Sequence, residues 1–249
     1  MEPYKQAFNK VGWFIPPYVA MGFLAKMAKE IDEKNSNFNQ ETLEQLLALI
    51  YSPENLAAMV LERYPITPYI QDYKNIISES ISAHFYGLNY AAVATLLPVI
   101  EGAGRKLAKS RSVPVKSIRS VFINLADDCK NDAILNSKGE VGEIISMMDS
   151  FIEFTKNHLY IESSDYALKD KTNRHGILHG AYCDEDYGKP INFYKIIAAV
   201  DFLCFISAFQ ASISWFAPEP TFSSKRLSAY YTACLHMKGQ AVYFHPITN

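Results

Sequence analysis

A long apolar segment, residues 193 to 216, constrains the fold of this chain more strongly than any other feature. A helix built over this segment carries apolar side chains on every face, whereas a helix on a protein surface keeps one polar side. The segment contains Lys195, Asp201 and Gln210, and a charged side chain at the centre of a bilayer is costly. We therefore predict a buried helix of a soluble protein, surrounded by other helices, rather than a membrane span.

Asp201 is the residue of this segment that most needs a partner. It lies between Val200 and Phe202, and a carboxylate that leaves water without a hydrogen-bonding partner loses free energy. We expect a partner such as Arg174 or a histidine. The alternative is a position on an edge of the helix that reaches water.

Signals for further helices occupy most of the remaining chain. Ser52, Pro53 and Glu54 supply a cap, a first-turn proline and an acidic residue in the order that starts a helix, and Pro65 ends it. The other segments have apolar residues at helical spacing or a helix-starting signal. Predicted helices cover residues 19–31, 40–50, 52–63, 67–86, 89–109, 115–130, 141–156, 193–216 and 223–238. The sequence thus predicts an all-α protein, with an N-terminal helical extension over residues 1–64 and a helical domain over residues 65–249.

Charge and cysteine content exclude some classes of function. The net charge of -2 gives no overall positive field that would hold nucleic acid through its phosphates, so any contact with RNA has to be local. The four cysteines, at positions 129, 183, 204 and 234, form no CxxC pair and no disulfide framework. The first residues lack the pattern of an export signal. We expect reduced thiols and a cytoplasmic protein.

Residues 173 to 180, Asn-Arg-His-Gly-Ile-Leu-His-Gly, concentrate groups that carry chemistry. A helix over this segment places His175 and His179 on one face, four residues apart. Arg174 is five residues before His179, which turns it about 140° away on a regular helix. Arg174 and His179 still meet at one phosphate if the helix begins loosely, which Gly176 would allow.

This segment resembles the R-x4-6-H signature of HEPN domains, because four residues separate Arg174 from His179. The likeness extends to Asp-Tyr-Gly at 186–188, to the long apolar helix that follows, and to Leu-Leu-Pro-Val-Ile-Glu-Gly at 96–102, and covers roughly residues 80 to 216. The resemblance implies a helical bundle that forms a homodimer, with the motifs of two protomers facing one cleft. Many members of the family cut RNA there without a metal ion. In some members an acidic residue of a preceding helix orients the catalytic pair, and Glu101 holds that place here.

The residue types suit cleavage of RNA by its own 2′-hydroxyl. The reaction needs a proton acceptor, a proton donor and a cation beside the phosphorane, which imidazole groups with a pKa of about 6.5 and a guanidinium supply. We assign His179 as the general acid or base and Arg174 as the phosphorane contact. His175 is a second proton carrier or a phosphate contact, and Asn173 orients a phosphate or caps the helix. No cofactor is needed.

A run of basic residues, 105 to 119, contains Arg105 and Lys109 and no acidic residue. It is placed to guide an RNA backbone toward the cleft, or it is a solvated loop between helices. The predicted function is an endoribonuclease that acts as a toxin or antiviral defence effector, with an antitoxin or defence-system protein as a further partner. The alternative function is a HEPN-like module that binds a nucleotide, RNA or a protein without cutting.

The same residue types also fit metal binding or a purely structural role. His175 and His179 have the spacing of a metal-binding pair, although a zinc site needs further ligands. Glu101 and Arg105 have the spacing of a helix ion pair. We interpret the remaining histidines, at 84, 158, 236 and 245, as structural, and most of the aromatic residues as core.

Overall fold

The structure is a computed structural model that describes residues 2–34, 39–184 and 186–244, with side chains up to residue 238. Every regular element in these ranges is helical, which confirms the predicted all-α class. The α-helices are α1 (Glu2–Lys10), α2 (Met21–Lys34), α3 (Gln40–Ile50), α4 (Pro53–Ala58), α5 (Lys74–Phe85), α6 (Asn89–Ser110), α7 (Ile118–Asn136), α8 (Val141–Phe154), α9 (Arg174–Leu178), α10 (Pro190–Ala208) and α11 (Phe222–Phe244).

The helix starts follow local capping chemistry. Asn39 accepts a hydrogen bond from the backbone N–H of Thr42 at the start of α3, and Ser52 accepts one from Asn55 at the start of α4. These side chains satisfy N–H groups that have no partner inside the helix. The helix begun by Pro53 continues as a π-helix, Met59–Arg63, and a 3₁₀ turn, Tyr64–Ile66, close to the predicted end at Pro65.

The helix predicted from residue 67 begins later than expected. A 3₁₀ turn covers Gln71–Tyr73, and α5 starts at Lys74. The backbone of Tyr69 has a φ of 68°, a left-handed conformation that a right-handed helix cannot contain. The hydroxyl of Thr67 donates to the carbonyl of Arg63. Thr67 therefore closes the preceding helix instead of opening the next.

Helix α10 lies at the centre of the protein and is buried along its whole length. It packs against α3, α6 and α7, as its uniformly apolar faces predict. It is the one described helix long and apolar enough to span a membrane, and complete burial inside the protein is typical of the core helix of a soluble protein.

The prediction that this helix runs to residue 216 was wrong, since α10 ends at Ala208. The indole N–H of Trp215 donates to the carbonyl oxygen of Ala208 at 3.1 Å. Its ring stacks on Phe209 with the ring centroids 4.8 Å apart. The apolar residues after Ala208 therefore fold back onto the end of the helix instead of extending it.

Helices before residue 64 share one hydrophobic core with those after it. Phe14 contacts Phe154 and Phe202 with ring centroids 4.9 and 5.5 Å apart, and Ile15 donates its N–H to the hydroxyl of Ser150. These contacts agree with the interpretation of most aromatic residues as core. All four cysteines are free.

Candidate functional site

Asn173 fixes the start of α9. Its Oδ1 accepts a hydrogen bond from the N–H of Gly176 at 2.8 Å, which caps the helix. Its Nδ2 donates to the carbonyl oxygens of His158 and Ile161 at 3.1 and 2.8 Å. The residue is fully buried. Of the two roles that the sequence allowed, the cap is the one formed, and the side chain has no exposed atom for a phosphate.

Arg174 is the first residue of this short helix and His179 follows its last residue, and their side chains are in contact. The Nη1 atom of Arg174 lies 2.8 Å from the Nε2 atom of His179. The regular-helix separation of about 140° does not apply, because α9 ends at Leu178 and His179 has left the helical conformation. The long arginine side chain then reaches the imidazole across one turn.

Gly176 has a different role from the one expected. It does not loosen the start of α9, where the Asn173 cap is formed. A Cβ atom at this position would overlap the ring of Tyr182. Gly176 is therefore required for close packing of the segment that follows the helix.

Glu101 on α6 holds the other side of the Arg174 guanidinium. The Nε atom donates to Oε1 at 2.5 Å and the Nη2 atom to Oε2 at 3.2 Å. Such a two-point contact fixes the plane of the guanidinium as well as its position. The two side chains remain 16% and 15% exposed, so water reaches the pair. The carboxylate that the sequence could also have paired with Arg105 is bound to Arg174.

The contact between Arg174 and His179 sets the tautomer of the neutral imidazole. A guanidinium only donates hydrogen bonds, so Nε2 of His179 is the acceptor. The ring proton of the neutral imidazole then lies on Nδ1. His179 is exposed and thus presents an unprotonated nitrogen beside a permanent cation.

His175 lies beside His179. The two rings are nearly parallel, at 17°, with their centroids 5.6 Å apart. The ring of Tyr160 meets His175 edge-on at 6.3 Å, and the hydroxyl of Tyr160 lies 3.5 Å from Oε1 of Glu101. The structure therefore brings Glu101, Arg174, His175 and His179 into one cluster at the surface. We call these four residues the Arg174 cluster.

In the basic run, residues 105 to 119, some side chains are paired with acidic residues and others are exposed. Arg105 and Lys109 are exposed and follow Glu101 at intervals of four residues, so they lie on one face of α6. Lys106 is paired with Asp72. The side chain of Arg111 is 2% exposed and is paired with Asp128. Arg105 and Lys109 are the sequence-predicted contacts that stay available beside the cluster.

The other histidines have different surroundings. Burial lowers the pKa of His84 to about 3 and that of His158 to about 4, so both stay neutral at ordinary pH. His84 stacks on Phe193 at 3.9 Å between ring centroids. These two are structural, as predicted. His236 is exposed on α11, and His245 lies outside the described residues.

A second ion pair, which the sequence did not lead us to predict, lies close to α9. Asp170 and Lys195 are bound to each other with both side chains at 0% exposure, and Lys195 also donates to the carbonyl of Val11 at 2.9 Å. Tyr166 and Thr172 donate to Asp170 at 2.7 and 3.0 Å. Burial raises the pKa of Asp170, but the charge of Lys195 and these hydrogen bonds outweigh it and hold the pKa below its usual value. A lysine within an apolar helix was the available signal, because a buried cation requires an acid.

Asp201 has neither of the partners expected from the sequence. It is buried, so the edge reaching water is also wrong. Its Oδ1 accepts a hydrogen bond from the hydroxyl of Tyr64 at 2.8 Å. Arg174 is not available to Asp201, because it is paired with Glu101.

Within the described residues, no group of three or more His, Cys, Asp or Glu side chains is placed to hold a metal ion. Comparison of the chain with protein-family models, with curated proteins and with solved structures finds no match.

Proposed function

We propose that this protein is an endoribonuclease that needs no metal ion, with the Arg174 cluster as its active site. The observation that carries the proposal is the 2.8 Å contact between Nη1 of Arg174 and Nε2 of His179. It joins a permanent cation to an imidazole nitrogen that can accept a proton. Both groups stand at the surface, where a large substrate can reach them.

Cleavage uses the ribose 2′-hydroxyl as the nucleophile. When RNA binds, Arg174 turns the Nη1 N–H that it donates to Nε2 of His179 toward a phosphate oxygen. His179 then accepts the proton of the 2′-hydroxyl at Nε2, and the 2′ oxygen attacks the adjacent phosphorus. Arg174 stabilises the negative charge that builds up on the phosphorane oxygens. The bond from phosphorus to the 5′ oxygen breaks, and protonated His175 donates a proton to that oxygen. The products are a 2′,3′-cyclic phosphate and a 5′-hydroxyl.

Glu101 acts as a positioning residue in this scheme. Its two contacts with Arg174, at 2.5 and 3.2 Å, use Nε and one N–H of Nη2. A guanidinium has five N–H donors, so one on Nη1 and one on Nη2 remain for phosphate oxygens. Arg105 and Lys109 continue along the same face of α6 and contact the backbone of the bound RNA.

The resemblance to HEPN domains supports the same function. The R-x4-6-H spacing of Arg174 and His179 is the signature of a family whose members act as dimers. We propose that a second copy of this chain faces the Arg174 cluster across a cleft, and that the protein acts in the cytoplasm as a toxin or defence effector. An antitoxin or another defence protein would control it.

The test is cleavage of RNA by the purified protein in the presence of a chelator. We expect Arg174→Ala and His179→Ala each to lower the rate by about 10²–10⁴-fold. Mapping of the RNA ends should give 5′-hydroxyl and cyclic phosphate termini. An RNA with 2′-deoxyribose at the cleaved position should resist cleavage.

Matched controls are Arg226→Ala and His236→Ala, which remove exposed residues of the same types from α11. These variants should cut RNA at the wild-type rate. When overexpressed in bacteria, they and the wild type should slow growth, whereas Arg174→Ala should not. Full activity of Arg174→Ala would remove the assignment of the site. Loss of wild-type cleavage on chelation would favour a metal-dependent reaction at the His175 and His179 pair.

A second candidate function is binding without cleavage. The two-point contact with Glu101 neutralises Arg174, as suits a module that recognises a nucleotide or protein through His175 and His179. RNA binding without cleavage, weakened by His179→Ala, would favour this function.

A further inference from the structure

Asp201 lies in a cavity whose lining does not include the Arg174 cluster. The cavity has a volume of about 80 Å³ and is lined by Asp201, Tyr18, Tyr51, Asn55 and apolar side chains that include Met59. One water needs roughly 10–15 Å³ of such space. The cavity is therefore large enough for a molecule of a few heavy atoms.

The Asp201 carboxylate has one hydrogen bond. Oδ1 accepts from Tyr64 at 2.8 Å, and the described residues give Oδ2 no partner. Arg63 adds a positive charge to the region, but it donates to the carbonyl oxygens of Ser214 and Phe216 at 2.6 and 2.5 Å instead of to Asp201. A buried carboxylate without a cation is costly.

Two tyrosine hydroxyls of the same cavity also lack partners. The hydroxyls of Tyr18 and Tyr51 are buried and form no hydrogen bond with the described residues. Buried polar groups are nearly always hydrogen-bonded. Tyr18 has a φ of 65°, which is unusual for a bulky residue and is often found where a ligand is held.

We propose that this cavity binds the ammonium group of a small primary amine. An ammonium group has three N–H donors, so it can donate to Oδ2 of Asp201 and to the hydroxyl oxygens of Tyr18 and Tyr51 once these buried groups turn toward it. Its charge provides the cation that Asp201 lacks, and the aromatic ring of Tyr51 attracts cations as well. The ring of Tyr18 already has the Arg63 guanidinium 5.1 Å from its centroid. A short alkyl chain fits the apolar wall. This site does not depend on the proposed nuclease function.

The first experiment compares three salts at equal ionic strength with the full chain. Isothermal titration calorimetry and thermal unfolding are measured in ethylammonium, tetramethylammonium and sodium chloride. Ethylammonium should bind saturably and raise the melting temperature. Tetramethylammonium has the charge but no N–H donor and is wider, so it should do neither. Equal effects of all three salts would overturn the proposal.

Substitutions in the cavity test where ethylammonium binds. Asp201→Asn should weaken ethylammonium binding by about 100-fold or more, and Tyr51→Phe, which removes only a hydroxyl, by about tenfold. Tyr230→Phe on α11, where the tyrosine is exposed, should bind as the wild type does. Unfolding curves confirm that each variant is folded. Wild-type binding by Asp201→Asn and Tyr51→Phe would show that the amine binds elsewhere.

The affinity should also rise with pH. Burial raises the pKa of Asp201 to about 7, against smaller opposing effects of Tyr64 and Arg63. Burial raises the pKa of Tyr18, Tyr51, Tyr64 and Cys204 as well, so these groups stay neutral. Asp201 alone among them ionises between pH 6 and 8, and its ionised form binds the cation. A pH-independent affinity over this range would contradict the proposed contact.

Discussion

Two ion pairs hold the segment around α9, and water reaches only one of them. The Asp170 and Lys195 side chains are at 0% exposure, whereas Glu101 and Arg174 keep 15% and 16%. Every partner of the buried pair belongs to the protein. The exposed pair has unused donors and adjoins an exposed imidazole. The same residue chemistry therefore serves as an anchor in one place and as a candidate active site a few residues later.

Exposure decides where function can reside in this fold. A buried pair has already used its hydrogen-bonding capacity, so it can only stabilise or destabilise the fold. A partly exposed pair contributes little to stability and can rearrange around a substrate. Variants of the two pairs should therefore separate stability from activity.

The largest effect is expected from Lys195→Met. It leaves Asp170 buried without its cation, which should lower the free energy of unfolding by about 3–5 kcal/mol. Chemical denaturation measures this change. The double variant Lys195→Met with Asp170→Asn should recover part of the loss, because no unpaired charge remains. A loss below about 1 kcal/mol in the single variant would mean that the anchor is no stronger than a surface pair.

Asp201 is a third case, since it is buried without an ion-pair partner. Its pKa is raised to about 7 in the folded protein, above the unfolded value of about 3.9. The folded state then binds more protons between these values, so the contribution of Asp201 to stability is greatest below about pH 3.9 and falls as pH rises to about 7. This trend should amount to about 2–4 kcal/mol in wild type and disappear in Asp201→Asn. Denaturation midpoints between pH 4.5 and 8 measure it, and identical profiles would contradict it.

The sequence predicted elements whose signals are local. The bounds of α3 matched the prediction from apolar spacing, with Asn39 as the cap, and α6 extends one residue beyond its predicted end at 109. The end of α10 was wrong because Trp215 folds back onto Ala208. That contact depends on the packing of the whole core, which no local pattern contains.

The residues of the candidate site also fall into those with a local signal in the sequence and those without one. Arg174, His175 and His179 were found because they lie within six residues of the chain. Glu101 was found only through the resemblance to HEPN domains, since it lies 73 residues from its partner. Tyr160 and the pairing of Asp170 with Lys195 were missed, because residues brought together only by folding leave no spacing to read.

Glu101→Gln should affect activity far more than stability. The amide keeps the shape but loses the charge that holds Arg174 in one plane, so RNA cleavage should fall about 10–100-fold. The free energy of unfolding should change by less than about 1 kcal/mol, because the pair is partly exposed. Arg105→Gln is the matched control on the same helix face and should weaken RNA binding more than the cleavage step. A Glu101→Gln variant that unfolds as easily as Lys195→Met would erase the distinction between the two pairs.

The smallest effect is expected from Tyr160→Phe. Its hydroxyl lies 3.5 Å from Oε1 of Glu101, a long contact that contributes little beside the 2.5 Å bond from Arg174 to the same oxygen. The ring, which packs against His175 and Phe122, is retained. Cleavage should fall by less than about threefold, in line with a contact worth well under 1 kcal/mol. Tyr160→Ala removes the ring as well and should reduce cleavage further through His175. If Tyr160→Phe lost as much activity as Glu101→Gln, the hydroxyl would belong with the groups that touch the substrate.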